Sequence, residues 1–248
     1  MDPFGLTGKR ILITGASSGI GRACAVCAAK LGANVVLTAR RQKALKETVA
    51  NCAGEGHLIV SGDITSSTFV KELAEKSGKI DGLVHAAGIA PMCPVGMLAS
   101  EEVESVMRTN YYSFLELMKY YSKNKFRNGK LSVVAVSSVS AESGWSGGAG
   151  YCGSKGALSA SVRALAMELA SKGVRVNAVC PSNIKTPLYE AGALDMNDEV
   201  SLKELIKKQP LGLGEPEQVA WPVCFLLSDA ANFITGVNLP VDGGYLAQ

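Results

Sequence analysis

The sequence lacks two features that would tie the protein to a membrane or a polyanion. No apolar stretch reaches the ~18 residues that a membrane-spanning helix needs, and residues 1–4 show no basic-then-apolar signal pattern. The 25 basic and 22 acidic residues are interleaved and leave a net charge of only +3. This balance argues against nucleic-acid binding. We therefore expect a cytoplasmic protein that contacts neither a membrane nor nucleic acid.

The sequence also offers little to disulfide or metal chemistry. The seven cysteines are odd in number and lie mostly within apolar runs, as buried free thiols do. The one C-x-x-C pair, Cys24 and Cys27, falls within a predicted helix with no second pair or histidine nearby. Helix packing explains this pair better than zinc or redox chemistry. We predict no metal site.

Apolar residues are abundant: the 248-residue chain is 47% hydrophobic and 19% charged, which is typical of a folded domain. Short β-branched runs alternate with helical patterns, and "LSVVAV" is apolar throughout, as in strands buried on both sides. This alternation predicts one α/β domain over 1–248, a doubly wound parallel sheet of about seven strands with helices on both faces. The predicted strands are 10–14, 34–38, 57–61, 82–86, 131–137, 174–179 and 237–241, and the predicted helices are 19–31, 42–53, 66–77, 100–108, 111–126, 151–172 and 217–228.

The least regular stretch, 183–209, mixes proline, glycine and acidic residues with a short basic helical pattern. It is longer than most connections in compact domains. We predict that it forms a lid over the substrate.

A glycine-rich loop, Thr14-Gly15-Ala16-Ser17-Ser18-Gly19-Ile20-Gly21, joins the first predicted strand to the first helix. Glycines permit the sharp turn and the close approach of a phosphate, and the free amides at a helix start attract an anion. In this βαβ context the loop predicts a dinucleotide site in a Rossmann fold. A purely structural turn is the alternative.

The end of the second strand bears on the choice of dinucleotide. NAD enzymes usually place an acidic residue there for the ribose hydroxyls, whereas a 2′-phosphate needs that acid absent and a cation present. Here Ala39 is followed by Arg40 and Arg41, which favours NADP(H) over NAD(H). The alternative is that both arginines are a solvated helix start. Asp63, after the third strand, could accept from the adenine amino group or serve only as a turn or cap.

Taken together, these and later motifs resemble the short-chain dehydrogenase/reductase family over essentially the whole chain. "HAAG" at 85–88 resembles the family's N-N-A-G, "NAVCPS" at 177–182 its N-x-V-x-P-G, and "FITGVNLPVDGG" its carboxyl-terminal signature. The glycine loop resembles T-G-x-x-x-G-x-G. The catalytic set that the resemblance implies is Asn110, Ser138, Tyr151 and Lys155.

Tyr151 and Lys155 are four residues apart and therefore share one helix face. A lysine cation beside the phenol favours phenolate, which predicts a lowered tyrosine pKa and a role as general acid and base. Ser138 would hydrogen-bond the substrate carbonyl; Ser137 competes for this role, but the family's spacing selects Ser138. The resemblance further implies that Lys155 holds the nicotinamide ribose and that Asn110 fixes a water in a proton relay.

The predicted cofactor site combines the glycine loop with positions that the resemblance supplies from later loops. Beside Tyr151 and Lys155 it comprises Gly15, Ser17, Ser18, Gly19, Ile20, Gly21, Arg40, Arg41, Asp63, Ile64, Ala87, Gly88, Pro181, Ile184 and Thr186.

Three departures from the family's pattern limit the resemblance. His85 replaces the usual first asparagine, and we assign it no chemistry. Ser182 replaces the glycine after Pro181, in the loop that should receive the nicotinamide amide. More residues than usual separate Gly129 from Ser138, so that this strand should enter the sheet differently.

The motifs do not name a substrate, although an apolar or mixed small-molecule carbonyl or alcohol fits better than a polyanion. The sequence is similar in style to 3-oxoacyl-carrier-protein reductases, whose acyl carrier protein would need a basic docking face. Lys123, Lys125, Arg127 and Lys130 could form one, or could be a solvated helix end. The predicted pocket residues are Met92, Cys93, Pro94, Val95, Ser140, Glu142, Trp145, Leu188 and Tyr189, beside a glycine-rich run, 144–150, expected to give slack.

The main hypothesis is therefore an NADP(H)-dependent oxidoreductase, with a 3-oxoacyl-thioester reductase as one form. A sugar, polyol or sterol dehydrogenase is the alternative within the family, and a non-catalytic dinucleotide sensor is the alternative outside it. The resemblance implies a homotetramer or homodimer built on the helices around 111–121 and 156–170.

Overall fold

A parallel sheet forms the centre of the molecule in the computed structural model, which describes residues 2–192 and 207–247. Its strands are β1 (Arg10–Thr14), β2 (Asn34–Thr38), β3 (Leu58–Ile59), β4 (Ile80–His85), β5 (Arg127–Val136), β6 (Val174–Pro181) and β7 (Asn238–Val241). They lie in the order β3-β2-β1-β4-β5-β6-β7, and every neighbouring pair is parallel. The predicted doubly wound, Rossmann-like fold is confirmed, with its topological switch point between β1 and β4.

Helices cover both faces of this sheet. One face carries α1 (Gly19–Lys30), α2 (Gln42–Ala50) and α8 (Pro216–Leu227), and the other carries α3 (Ser67–Ser77), α5 (Ser113–Tyr121) and α6 (Ala149–Leu169). α4 (Ser100–Met107) packs against α6, and α7 (Pro187–Gly192) follows β6.

The strands alternate between two apolar cores, which explains their unbroken apolar sequences. Ile11 and Ile13 of β1 pack with α1 and α8, whereas Leu12 between them packs with the helices of the opposite face. All three side chains are fully buried. Cys24 and Cys27 belong to the first core as free thiols, so the C-x-x-C pair serves helix packing.

Two predicted elements differ from the observed ones. β3 is two residues long, shorter than the predicted strand 57–61, and it pairs only with Val36 and Leu37 of β2. The helices predicted separately over 100–108 and 111–126 are joined into one continuous helical run by a π-helical turn (Arg108–Tyr112), and α5 ends at Tyr121 before a 3₁₀ turn (Asn124–Phe126). A π-helical turn widens the backbone spiral locally and is often found at functional sites.

The extra residues before Ser138 are absorbed at the start of β5. Ile80 pairs with Arg127, but Gly82 already pairs with Ser132, so the register shifts across a short irregular segment. Gly129 lies in this segment at φ +81°, where only glycine is unstrained. From Ser132 onward the pairing is regular, and Ser138 follows the end of the strand as the family's pattern requires.

The predicted lid at 183–209 falls partly outside the described residues, which omit 193–206. Its described beginning contains α7, and its described end contains the buried Gln209. In the described ranges, no helix is both long and apolar enough to cross a membrane.

Candidate active site

A cleft of about 730 Å³ opens at the carboxyl ends of the strands. In doubly wound sheets this edge is where loops from neighbouring strands can converge on a ligand. Three of the predicted catalytic residues, Ser138, Tyr151 and Lys155, line the cleft, and Asn110 lies behind it. Every predicted cofactor position also lines it: Gly15, Ser17, Ser18, Gly19, Ile20, Gly21, Arg40, Arg41, Asp63, Ile64, Ala87, Gly88, Pro181, Ile184 and Thr186.

The glycine loop leaves no room for side chains where it crosses the switch point. Gly15 has φ +65°, and a Cβ there would lie 2.6 Å from the Ala86 carbonyl oxygen. A Cβ on Gly21 would collide with the Gly15 carbonyl. The first amides of α1 have no intrahelical acceptors, and its first turn contains no acidic residue. The loop therefore fits a phosphate group.

Arg41 is held over this loop, as a cation for a 2′-phosphate would be. Its Nη2 donates to Ser17 Oγ at 3.3 Å and to Ser18 Oγ at 3.2 Å. Ala39 brings no carboxylate to the neighbouring position, and Arg40 is exposed at the rim. The Arg41 guanidinium and the two hydroxyls thus form a cationic, hydrogen-bonding cluster beside the glycine loop.

Asp63 lies at the far end of the cleft, next to Ile64. Its Oδ1 accepts from the Thr65 amide at 2.9 Å and from the Thr65 hydroxyl at 2.8 Å. These hydrogen bonds lower the pKa of the Asp63 carboxyl, with a further contribution from Arg40. Asp63 therefore serves as a turn residue, which is one of the two roles predicted for it from the sequence. It also lines the cleft.

The predicted proton donor and the predicted carbonyl-binding serine meet at the end of β5. Ser138 is a hydrogen-bond partner of Tyr151 and accepts from the Ser140 amide at 3.1 Å. Lys155 is buried, and its Nζ donates to the Val136 carbonyl at 2.8 Å and lies 5.6 Å from the centre of the Tyr151 ring. Ser137 bonds to Ser159 instead, at 2.7 Å.

The pKa of Tyr151 differs in direction from the sequence-based expectation. Burial raises the pKa of this phenol, and the hydrogen bond with Ser138 opposes the increase. Burial also lowers the pKa of Lys155 to about 8. The expectation considered only the neighbouring cation, whereas burial disfavours the charged form of both groups and is the largest cause of both pKa shifts.

Asn110 lies in the π-helical turn, and its side chain is fully engaged in holding the β4 loop. Oδ1 accepts from the Ile89 amide at 2.8 Å, and Nδ2 donates to the Ile89 carbonyl and to Ser154 Oγ, both at 2.9 Å. A Cβ on Gly88 would lie 3.4 Å from this Oδ1. Asn110 thus fixes the backbone that passes in front of Lys155.

His85 connects three parts of the site, and its tautomer follows from its partners. Thr14 Oγ1 accepts from the amides of Ala86 and Ala87, both at 3.1 Å, so its own proton is directed to His85 Nδ1, 3.2 Å away. The ring proton is then on Nε2, which donates to the Asn110 carbonyl at 3.3 Å. Burial lowers the pKa of His85 to about 3. The histidine is a neutral structural bridge.

Ser182 ties the loop after β6 to a residue that sequence reasoning missed. Its hydroxyl lies 2.8 Å from Gln209 Oε1 and 2.9 Å from the Asp242 carbonyl. Gln209 is 1% exposed, and its Nε2 donates to the carbonyls of Asn183 and Gly212. No local pattern around Gln209 signals this role, because its partners are 26 or more residues away or lie in an irregular turn.

The substrate side of the cleft is formed by part of the predicted set. Ser140, Trp145, Leu188 and Tyr189 line the cleft, and Met92 lines an adjoining cleft of about 600 Å³. Val95 points away and is 82% exposed. Cys93, Pro94 and Glu142 are not among the described residues that line either cleft.

Two glycines of the run beside Tyr151, Gly147 and Gly148, are closely packed, whereas Gly144 has open space, so the expected slack stays a prediction. A Cβ on Gly147 would lie 2.8 Å from Met92 Cγ, and one on Gly148 would lie 2.5 Å from the Trp145 ring. These glycines are small because neighbouring side chains pack against them. Within residues 2–192 and 207–247, no cluster of three or more His, Cys, Asp or Glu could hold a metal ion.

Known proteins are similar to this chain over nearly its whole length. A family model described as Enoyl-(Acyl carrier protein) reductase matches residues 15–246. The chain is 32% identical to L-xylulose reductase of Mus musculus, covering 98% of this chain and 99% of the relative. It is 35% identical to a 3-oxoacyl-[acyl-carrier-protein] reductase of Rickettsia felis, covering 97% and 98%.

A solved structure is similar over the whole fold. A proposed 2-deoxy-D-gluconate 3-dehydrogenase from Agrobacterium tumefaciens, with bound NADP, superposes with a TM-score of 0.88 at 30% identity. The alignment covers 100% of both chains.

Proposed function

The chain belongs to the short-chain dehydrogenase/reductase family, and we propose that it is an NADP(H)-dependent oxidoreductase that interconverts a carbonyl and a secondary alcohol. Named relatives are dehydrogenases and reductases that act on CH–OH groups. The observation that carries the proposal is the convergence of Tyr151, Ser138 and Lys155 with the glycine loop around one cleft.

The described residues fit a dinucleotide. The glycine loop excludes side chains where a phosphate would approach, and the cationic Arg41 cluster lies at its edge. When bound, the reduced cofactor would supply a hydride to the carbonyl carbon.

Protein groups account for the proton and the developing charge. Tyr151 would donate its phenolic proton to the carbonyl oxygen, so that hydride and proton together convert C=O into CH–OH. Ser138 would donate a hydrogen bond to that oxygen as negative charge accumulates. The Lys155 cation would stabilise the phenolate that remains until Tyr151 regains a proton from solvent. In the oxidative direction Tyr151 acts as the base.

The preference for NADP(H) follows from the Arg41 cluster and from Ala39, which leaves the ribose without a carboxylate partner. Bidentate hydrogen bonding by a guanidinium suits a 2′-phosphate. NAD(H) is the weaker candidate because no described carboxylate stands at the end of β2.

NADPH oxidation with a panel of neutral ketones, 2-oxo acids and 3-oxoacyl thioesters tests the function. We expect turnover on at least one carbonyl class, and a decrease in kcat of about 10³-fold in Tyr151→Phe with unchanged NADPH affinity. NADPH binding without turnover on any carbonyl would instead favour a dinucleotide sensor.

A 3-oxoacyl thioester remains a candidate substrate, favoured by similarity to the Rickettsia felis reductase. The basic cluster of Lys123, Lys125, Arg127 and Lys130 does not support carrier docking on the same chain. It lies at the amino end of β5, and the eight residues from Lys130 to Ser138 span ~26 Å along the strand. A carrier docked there would be at the edge opposite Tyr151.

We also propose a homotetramer or homodimer, because Leu115 on α5 and Tyr112 just before it leave apolar surface exposed. Size-exclusion chromatography with light scattering tests this, and Leu115→Glu should shift the mass toward the monomer. An unchanged monomeric mass for the wild type would exclude the assembly.

A further inference from the structure

Trp145 is fixed to the same hydrogen-bonded turn that positions Ser138. The Ser140 amide donates to Ser138 Oγ at 3.1 Å, and Ser140 Oγ accepts from the Trp145 indole Nε1 at 3.3 Å. The indole is thus connected through one residue to the hydroxyl that would bind the substrate carbonyl. Its orientation relative to that hydroxyl is set by the fold.

Glycine packing holds the other side of the indole. Gly148 lets the ring lie on its backbone, since a Cβ would approach ring atoms to 2.5 and 2.6 Å. Its amide also donates to the Trp145 carbonyl at 3.1 Å. Gly147, at φ +79°, accepts from the Cys93 amide at 2.9 Å and so joins this loop to the segment that follows β4. Trp145 is therefore a rigid wall of the cleft.

The indole presents part of its surface next to the proton donor. Trp145 is 39% exposed, and its ring centre lies 6.3 Å from that of Tyr151 at an interplanar angle of 50°. Ile89, Val139 and Leu188 also line the cleft. A substrate carbonyl between Ser138 and Tyr151 would have a flat apolar surface beside it.

Charge at this end is sparse within the described residues. The charged residues that line the main cleft are Arg40, Arg41, Asp63 and Lys155, and the first three lie at the dinucleotide end. The adjoining cleft adds only a carboxylate, Glu102. A carboxylate or phosphate on the substrate would therefore lose its hydration without gaining a dedicated cation from residues 2–192 and 207–247.

Several polar groups near the substrate are already paired with one another. Ser140 Oγ accepts from Trp145, and Ser182 Oγ contacts Gln209 and the Asp242 carbonyl. Asn183 Nδ2 is 3.4 Å from Gln209 Oε1. A polyhydroxylated substrate needs several unpaired partners, because each buried hydroxyl left without a hydrogen bond weakens binding.

We propose that Trp145 determines specificity and that the preferred substrate is a neutral ketone with a flat apolar face next to its carbonyl. The proposal rests on the proposed function and narrows it: polyols and 2-oxo acids are poor substrates. Reduction of such a ketone consumes one NADPH and one proton and yields the secondary alcohol and NADP⁺.

Matched ketones test the selectivity. Acetophenone and phenylglyoxylate share a phenyl ketone and differ by a carboxylate, whereas acetone lacks the flat face and a ketopentose adds hydroxyls. We expect the wild type to have a kcat/KM for acetophenone ~100-fold above those for phenylglyoxylate and the ketopentose.

Variants of Trp145 connect that selectivity to the indole. Trp145→Ala should lower kcat/KM for acetophenone ~30-fold and change that for acetone less than ~3-fold, because only the flat ketone uses the wall. Trp145→Phe should retain most of the activity on acetophenone. Trp221→Phe is the matched control, since it alters the only other tryptophan, on α8. An NADPH dissociation constant within ~2-fold of wild type verifies the fold of each variant.

The possible results distinguish failure of the proposal about Trp145 from failure of the proposed oxidoreductase function. An equal loss on acetone and acetophenone in Trp145→Ala would mean that the indole only supports Ser138, and the inference would be wrong. A wild-type preference for phenylglyoxylate or the ketopentose would also overturn it while leaving the oxidoreductase function intact. Failure of every carbonyl to oxidise NADPH would overturn the proposed function itself.

Discussion

The two ends of the cleft are built by different means. The dinucleotide end is built from backbone amides, glycines with positive φ and the contacts of Arg41 with Ser17 and Ser18, all within 30 residues of sequence. At the substrate end, Ser182 and Gln209 hold each other across 27 residues of sequence, and the loop that carries Trp145 is tied to Cys93 through Gly147. The first end is therefore recognisable in motifs, while the second depends on packing between distant segments.

This difference explains how one fold can retain a cofactor and vary its substrate. Loops carry the residues that differ, and a rigid scaffold carries those that must stay in place. Substitutions at the two ends should consequently separate effects on cofactor binding from effects on substrate selection, except at residues that connect the ends.

Lys155 is such a connection, and changing it should have the largest effect. Its buried Nζ lies beside both the Tyr151 ring and the Gly88 backbone. Lys155→Met should lower kcat by about 10³-fold, because the charge that stabilises the phenolate is lost, and should also weaken NADPH binding, because the ammonium predicted to hold the nicotinamide ribose is lost. Steady-state kinetics with a separate NADPH titration measures both effects. Tyr151→Phe is the comparison, since it should lower kcat alone; identical binding in the two variants would contradict a role for Lys155 at both ends.

Arg41 tests the dinucleotide end alone. Arg41→Ala should raise the KM for NADPH about 30-fold and leave the KM for NADH unchanged, because only NADPH carries the 2′-phosphate. Arg40→Ala, on the neighbouring exposed cation, should have a smaller effect. Equal changes with both cofactors would show that Arg41 serves the loop rather than the phosphate.

His85 should make the site sensitive to acid through folding stability. Above pH 6.5 the ring is neutral in both states; as pH decreases toward 3, the unfolded chain binds a proton that the folded chain does not. The free energy of unfolding should thus fall by about 2 kcal/mol between pH 7 and pH 5 through this group.

Urea unfolding of His85→Asn at both pH values measures this contribution. The variant should lose most of that pH dependence, whatever its stability at pH 7. His57→Gln, which removes the only other histidine, should retain it. An unchanged pH dependence in His85→Asn would show that His85 does not cause the acid sensitivity.

Gly148 tests the substrate end with the smallest expected effect. Gly148→Ala should displace the Trp145 ring, lower stability by about 1–2 kcal/mol and raise the substrate KM several-fold without altering NADPH binding. Gly153→Ala, in α6 with open space around the added Cβ, should be neutral or slightly stabilising. A neutral Gly148→Ala would indicate that the indole is not locked.

The sequence by itself determined the doubly wound fold, the glycine loop and the order of Ser138, Tyr151 and Lys155. These features depend on local chemistry: β-branched runs, helix periodicity and fixed spacings act within short segments. The π-helical turn that carries the helix through Asn110 and the two-residue β3 escaped prediction, because tertiary context overrides such local patterns.

Only the tertiary structure decided which residues support the site. The His85 tautomer depends on Thr14 and Asn110, and the tie at Ser182 depends on Gln209, a buried glutamine with no local signature. The direction of the Tyr151 pKa likewise depends on desolvation rather than on a neighbour in sequence. Each is a property of buried contacts between distant segments, which exist only after the chain has packed.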